Sequence, residues 1–129
     1  MNKNLMVTAF LGMMGMVLGA FATHTFKGIL SSDAMESLMT GIRYQIYHVI
    51  VLLFTNTYQG FSSQLKNQIS VCFFAGILFF SGSIYAIYLL GIPAKNIWFI
   101  TPFGGLLLIA GWFLMFFTFL KKVFVEKKE

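Results

Sequence analysis

The chain has 129 residues, 58% hydrophobic and only 10% charged, with a mean hydropathy of +0.82, which excludes an ordinary soluble globular domain. Lys and Arg outnumber Asp and Glu nine to four. These cations flank apolar runs singly or gather in the tail, with no basic face and no base-stacking aromatics, so nucleic acid is excluded as a partner. The lone Cys72 rules out an internal disulfide and a cysteine-based metal cluster.

Four apolar segments follow one another, each near the roughly 20 residues that cross about 30 Å of hydrocarbon. The first covers residues 5–22. Lys3, the apolar run and Ala20-Phe21-Ala22 imitate a signal peptide. Gly12, Gly15 and Gly19, however, share one helical stripe that Thr8 and Thr23 extend. Small residues at that spacing let two membrane helices approach closely, so a retained first helix is the favoured reading. A polar interval follows, in which Ser32 or Asp33 with Glu36 reads as a helix N-cap with acid in the first turn. The second segment, 38–58, contains the stretch Thr40–Leu53, whose Arg43, Tyr44, Gln45, Tyr47 and His48 are set ahead of and inside an apolar run. A short polar loop precedes the third segment, 69–90, which is uncharged and stopped by Gly91-Ile92-Pro93. The fourth, 98–120, is also uncharged and leads into a basic tail, 121–129. Pro102 is tolerated in its first turn, where its missing N–H has no intrahelical partner anyway.

Four spans put both termini on one side. Lys3, Lys66 and the four tail lysines would lie there, against Lys27, Arg43 and Lys95 opposite, so the positive-inside rule makes the termini cytoplasmic. That topology brings His24, the Arg43–His48 group, Ser81, Ser83, Tyr85 and Thr101 towards one leaflet. The expectation is a polar network in the outer half of an all-α, integral membrane four-helix bundle, with an almost entirely apolar inner half.

Ser37, Gly41, Tyr44, His48, Val51 and Thr55 form one stripe on the second helix, leaving Leu52, Leu53 and Phe54 mainly for lipid. Polar groups inside a span normally face protein or a water-filled cavity, which directs Arg43 and His48 into the bundle or up to the interface. His48 has two readings. It could relay a proton or hold a ligand, having an unperturbed pKa near physiological pH, or it could bond to Ser81, Ser83 or Tyr85 and bridge helices, the favoured reading. With His24 it makes too small a donor set for a metal. Arg43 has Asp33 and Glu36 as candidate partners, a carboxylate or phosphate ligand as the functional alternative, and snorkelling to headgroups as a third option. Gly76 (with Ser83), Gly82, Gly104, Gly105 and Gly111 join Gly12, Gly15 and Gly19 as candidate helix-packing glycines. Trp98, Trp112, Tyr58, Tyr85 and Tyr88 read as interface or packing aromatics. No dinucleotide fingerprint, phosphate loop, zinc motif or serine-nucleophile elbow is present.

Several of these residues fall into an ordered set of motifs. Gly19-Ala20-Phe21 with His24 comes first, then Arg43-Tyr44-Gln45 with His48. Phe80-Ser81-Gly82-Ser83-Ile84-Tyr85 follows, then Thr101-Pro102-Phe103-Gly104-Gly105 and Gly111-Trp112. In this order they resemble the YgdD/YwdK-like small membrane proteins, bacterial inner-membrane proteins of unknown function with small animal transmembrane relatives. Ala22-Thr23 departs mildly from the Gly-Ala that commonly precedes the histidine there. The resemblance covers nearly the whole chain and implies a four-helix protein of the bacterial cell membrane. It brings no reaction, substrate or cofactor.

The favoured functional reading is a non-enzymatic membrane protein whose outer polar network binds a small polar ligand, a lipid headgroup or a partner. A second class is a small proton-coupled transporter using His48, although no Asp or Glu lies within a span and such a device usually needs a repeat or a dimer. A third is a structural partner in a membrane complex or homo-oligomer, docking through the glycine stripes. An enzyme is disfavoured, because Ser81 and Ser83 near His48 lack a third, orienting acid. No cofactor is called for.

Overall fold

The computed structural model describes residues 2–126. Lys127 and Lys128 of the basic tail lie outside them. The described residues form α1 (Asn2–His24), a 3-10 turn (Phe26–Gly28), α2 (Ser32–Thr57), α3 (Ser63–Tyr88), a short α4 (Ala94–Ile97) and α5 (Ile100–Glu126). Four of these helices, α1, α2, α3 and α5, are long and apolar enough to cross a membrane. The fold is therefore all-α. At about 1.5 Å per residue, the 23 residues of α1 span about 34 Å, slightly more than a hydrocarbon core.

The helices begin and stop where local chemistry dictates. Ser31, rather than Ser32 or Asp33, caps α2, its hydroxyl accepting from the Ala34 N–H at 3.3 Å. The helix therefore starts one residue earlier than the capping expectation, leaving Asp33 in its first turn. Ser62 caps α3 in the same way through the Leu65 N–H. Beyond α3, Gly91 takes a positive φ of 70°, a conformation costly for other residues, and Pro93 follows in extended backbone.

The antiparallel register is set by glycines. On α1, an added Cβ at Gly12, Gly15 or Gly19 would meet Val49, Ile46 or Ile42 of α2. Between α3 and α5, Gly76 faces Leu108, Gly104 faces the Phe80 backbone and Gly111 faces the Phe73 ring. Gly105 makes only an ordinary contact with Phe80, at 3.8 Å. Gly82 departs from the helix-packing expectation. Its neighbour within 4 Å is Leu78 of its own helix, and it shares the outward face of α3 with exposed Leu78 and Val71. Ser81 and Ser83 on either side of it turn towards α2 and α5, and the helical rotation between them carries Gly82 outwards.

The central pair α2–α3 is flanked by α1 and α5, whose outer faces are lined with exposed Met, Phe, Leu and Ile. Leu52 is fully buried with Phe73, Ile77 and Leu108, so it belongs to the core and not to the lipid surface. Leu53 and Phe54 are exposed. Up-down-up-down order places Asn2 and Glu126 at one end of the bundle, hereafter the terminal end.

Candidate functional site

The α1–α2 pairs place His24 level with about residue 37 of α2, and Asn2 level with about residue 59. His48 therefore lies at mid-depth. This corrects its expected placement in the outer half: residue 48 is the midpoint of the segment 38–58, and the α1–α2 pairs set it level with about residue 13 of α1. His24 is exposed at the end of α1, about 16 Å along the axis from His48 at 1.5 Å per residue. The two histidines cannot share a ligand at that separation.

Both nitrogens of the His48 ring are engaged. Trp112 Nε1, which can only donate, lies 3.1 Å from Nε2, so Nε2 must accept. Nδ1 then carries the proton and donates to the Tyr44 carbonyl at 2.7 Å. The ring is 5% exposed and packs against Phe73 and Trp112. Its interhelical partner is thus Trp112 of α5, and not Ser81, Ser83 or Tyr85. Trp112 reaches it because side chains lean towards the N-terminus of their own helix, which for α5 is towards the end away from the termini.

The other polar groups form separate bridges. Gln45 donates from Nε2 to the Leu11 carbonyl of α1 and accepts at Oε1 from the Tyr85 hydroxyl of α3, both at 2.7 Å. Ser81 Oγ donates to the Gly41 carbonyl of α2 at 2.6 Å. Ser83 Oγ lies 2.6 Å from Thr101 Oγ1 of α5, and 2.9 Å from the Phe80 carbonyl, to which it donates. Among the described residues, no buried side-chain nitrogen or oxygen lacks a hydrogen-bond partner.

The half of the bundle nearer the termini is not the apolar region expected there. Asn56, fully buried on α2, donates to Ser70 Oγ of α3 and to the Leu52 carbonyl, both at 2.9 Å. Its Oδ1 accepts from Asn4 of α1 at 3.0 Å, and Asn4 also reaches Asn67 of α3. Lys66 Nζ donates to the Asn56 carbonyl at 3.2 Å, near the C-terminus of α2. Thr8, also fully buried, bonds to the Asn4 carbonyl. Asn56 lies two residues before the end of the second apolar segment and is the penultimate residue of α2, and an amide at that position was the signal for this cluster. A buried amide in a span must find polar partners on neighbouring helices. Lys122 closes the same end, donating to the Gly60 carbonyl at 2.6 Å, with its ammonium 5.0 Å from the Tyr58 ring centroid.

Arg43 points neither into the bundle core nor to a bridge. It is exposed, and with Lys27 and Glu36 it lines an open cleft at the end away from the termini, floored by Leu30, Met35 and Met39. The cleft has a volume of about 540 Å³, enough for a small ligand or a headgroup. Tyr44 and Tyr47 are exposed on the same helix. Of the nine residues expected to form one network, Gln45, His48, Ser81, Ser83, Tyr85 and Thr101 take part in bridges through their side chains. Tyr44 contributes its carbonyl to His48, while Arg43 and His24 stand apart. Among the described residues, no group of three or more His, Cys, Asp and Glu side chains is placed to hold a metal.

The profile of a protein family of unknown function, DUF423, matches residues 18–105. A UPF0382 membrane protein of Staphylococcus haemolyticus is 35% identical over 123 residues, 95% of this chain and 99% of that protein. A UPF0382 membrane protein of Haemophilus influenzae is 37% identical, over 86% of this chain and 88% of its own length. The UPF0382 inner membrane protein YgdD of Escherichia coli is 31% identical, over 86% and 84% respectively. No solved structure matches the chain.

Proposed function

The chain belongs to the UPF0382 (DUF423) family and is a multi-pass protein of the cell membrane, and from that premise we propose that it is a non-enzymatic binding protein which holds an anionic group between Lys27 and Arg43. One observation carries this reading. The buried polar side chains already spend their hydrogen bonds on neighbouring helices, whereas the Lys27–Arg43 cleft is open and carries two cations against the single acid Glu36. A guanidinium offers a planar fork of donors to a carboxylate or phosphate, and an ammonium adds a second charge.

The bridges argue against the rival classes. A proton carrier at His48 would need a free ring nitrogen, and Trp112 and the Tyr44 carbonyl occupy both. A serine nucleophile would need an activating base, but Ser81 and Ser83 donate to helix carbonyls and neither is hydrogen-bonded to His48. The termini are placed in the cytoplasm on the charge bias of Lys3, Lys66, Lys121 and Lys122 over Lys27, Arg43 and Lys95. The cleft then opens at the outer face.

The test is equilibrium binding of glycerol 3-phosphate and of short-chain phosphatidylglycerol to the purified protein in uncharged detergent. Arg43→Gln and Lys27→Gln should each weaken whichever probe binds by about ten-fold, the loss of one charge-assisted hydrogen bond. Ser83→Ala, which removes a helix bridge, should leave binding unchanged. Equal affinity in all four proteins would reject the cleft as the site.

A further inference from the structure

The outward face of α2 changes character along its length. From the end away from the termini inwards, positions at helical spacing read Glu36, Met39, Arg43, Tyr47, Ile50 and Phe54. Glu36, Arg43, Tyr47, Ile50 and Phe54 are all exposed, Tyr47 by 54% and Ile50 by 60%. Arg43 lies about 9 Å below the end of α1, six residues of helix, and Tyr47 one turn deeper. Both side chains lean back towards the start of α2. Arg43 shares the cleft with Lys27, and Tyr47 follows one turn below it on α2. A guanidinium and a phenol hydroxyl at this depth face hydrocarbon unless a polar group meets them, and an unmatched polar group there is costly.

A second copy of the chain docked two-fold and centred on this face is disfavoured as the source of that group. Two parallel protomers related by an axis normal to the membrane would bring Arg43 against Arg43 at the same depth, where like charges repel. The occupant must instead be anionic at the cleft, hydrogen-bonding one turn deeper and apolar below.

We infer that a glycerophospholipid binds lengthwise on α2. Its phosphate sits between Lys27 and Arg43, its ester region meets the Tyr47 hydroxyl, and one acyl chain runs over Ile50 and Phe54. The order of polarity along this face matches the order of phosphate, ester and chain along such a lipid. The inference rests on the anion-binding reading of the cleft and names its ligand class. Such a lipid would complete a polar face that the bundle leaves open.

Native mass spectrometry of the full chain released from nanodiscs of equal phosphatidylglycerol and phosphatidylcholine tests this. Glycerol 3-phosphate is added in a parallel sample. The unmodified protein should retain one phosphatidylglycerol per chain in preference to phosphatidylcholine. Arg43→Gln should cut that preference about ten-fold. Tyr47→Leu, which keeps apolar bulk on an exposed face, should cut retention several-fold, with folding checked by circular dichroism. Phosphatidylglycerol lost with Arg43→Gln but untouched by Tyr47→Leu would overturn the lengthwise lipid and leave the cleft reading standing. Glycerol 3-phosphate retained in place of lipid would do the same. An unmodified protein carrying no phosphate-bearing molecule would overturn both.

Discussion

Gly104→Ala isolates the α3–α5 interface in a single methyl group. At Gly104 an added Cβ would collide with the Phe80 backbone nitrogen and stand 2.7 Å from the Phe79 carbonyl carbon and 2.8 Å from Phe80 Cα. All three are backbone atoms of α3, so no rotamer change relieves the clash. The two helices must separate by at least several tenths of an ångström. That separation also pulls on the Ser83–Thr101 bond and loosens Leu108 over Gly76, since these contacts share one register. Overpacking of this kind costs about 1–3 kcal/mol. Alanine's better helix propensity offsets up to about 1 kcal/mol of it. The adjacent site supplies the control. A Cβ at Gly105 meets the Phe80 ring at 3.8 Å, an ordinary contact, and one at Gly82 meets only Leu78 at 3.9 Å. Gly105→Ala and Gly82→Ala should therefore be neutral or slightly stabilising. Reversible unfolding of the three variants in bicelles, followed by far-UV circular dichroism, measures the difference. If Gly104→Ala is as stable as Gly82→Ala, the α3–α5 approach derived from the glycine register is wrong.

The remaining predictions address the bridges and the topology. A double-mutant cycle on His48→Phe and Trp112→Phe should return a coupling of about 0.6 kcal/mol, and no more than about 1.7 kcal/mol, the range for interhelical hydrogen bonds in membranes. Zero coupling would show that the Trp112–His48 bond does not form in the membrane. Asn56→Ala removes the group that joins Asn4, Ser70 and Leu52, so it should destabilise by about 1–3 kcal/mol, the cost of leaving buried partners unsatisfied. The exposed Asn67→Ala should change stability by less than about 0.5 kcal/mol in the same unfolding assay. Lys122→Met removes the bond to the Gly60 carbonyl and a cation over the Tyr58 ring. Amide hydrogen exchange should then speed up in the α2–α3 loop, by about the factor of two to five that 0.5–1 kcal/mol corresponds to, while α1 is unaffected. A C-terminal reporter that fluoresces only in the cytoplasm should be bright, and a dark one would reverse the proposed orientation.

The family and the membrane location were legible in the residues, because both depend on local features. Four uncharged or nearly uncharged runs of about 20 residues need no knowledge of their neighbours to be recognised, since each must satisfy its own backbone in hydrocarbon. Glycines at spacings of three and four mark a narrow helix face on the same local grounds. What periodicity could not supply was depth and rotation. The descending second span was expected to hold His48 in its outer half, whereas the α1–α2 register puts residue 48, the midpoint of the segment 38–58, at mid-depth. Gly82 repeats at a helical spacing yet faces outwards, because the turn of α3 that directs Ser81 to α2 and Ser83 to α5 leaves the position between them without a neighbour.

The sequence alone therefore determined that the chain crosses a membrane four times as helices. It also determined which few residues would be expensive to leave in lipid. Only the tertiary structure decided who satisfies them: Trp112 for His48, Asn4 and Ser70 for Asn56, the Gly41 carbonyl for Ser81. Those pairings follow from the α1–α2 and α3–α5 registers, and the registers follow from Ile46 packed on Gly15 and from close backbone approach at Gly76 and Gly104. Such contacts lie far apart along the chain, and no local pattern can set them.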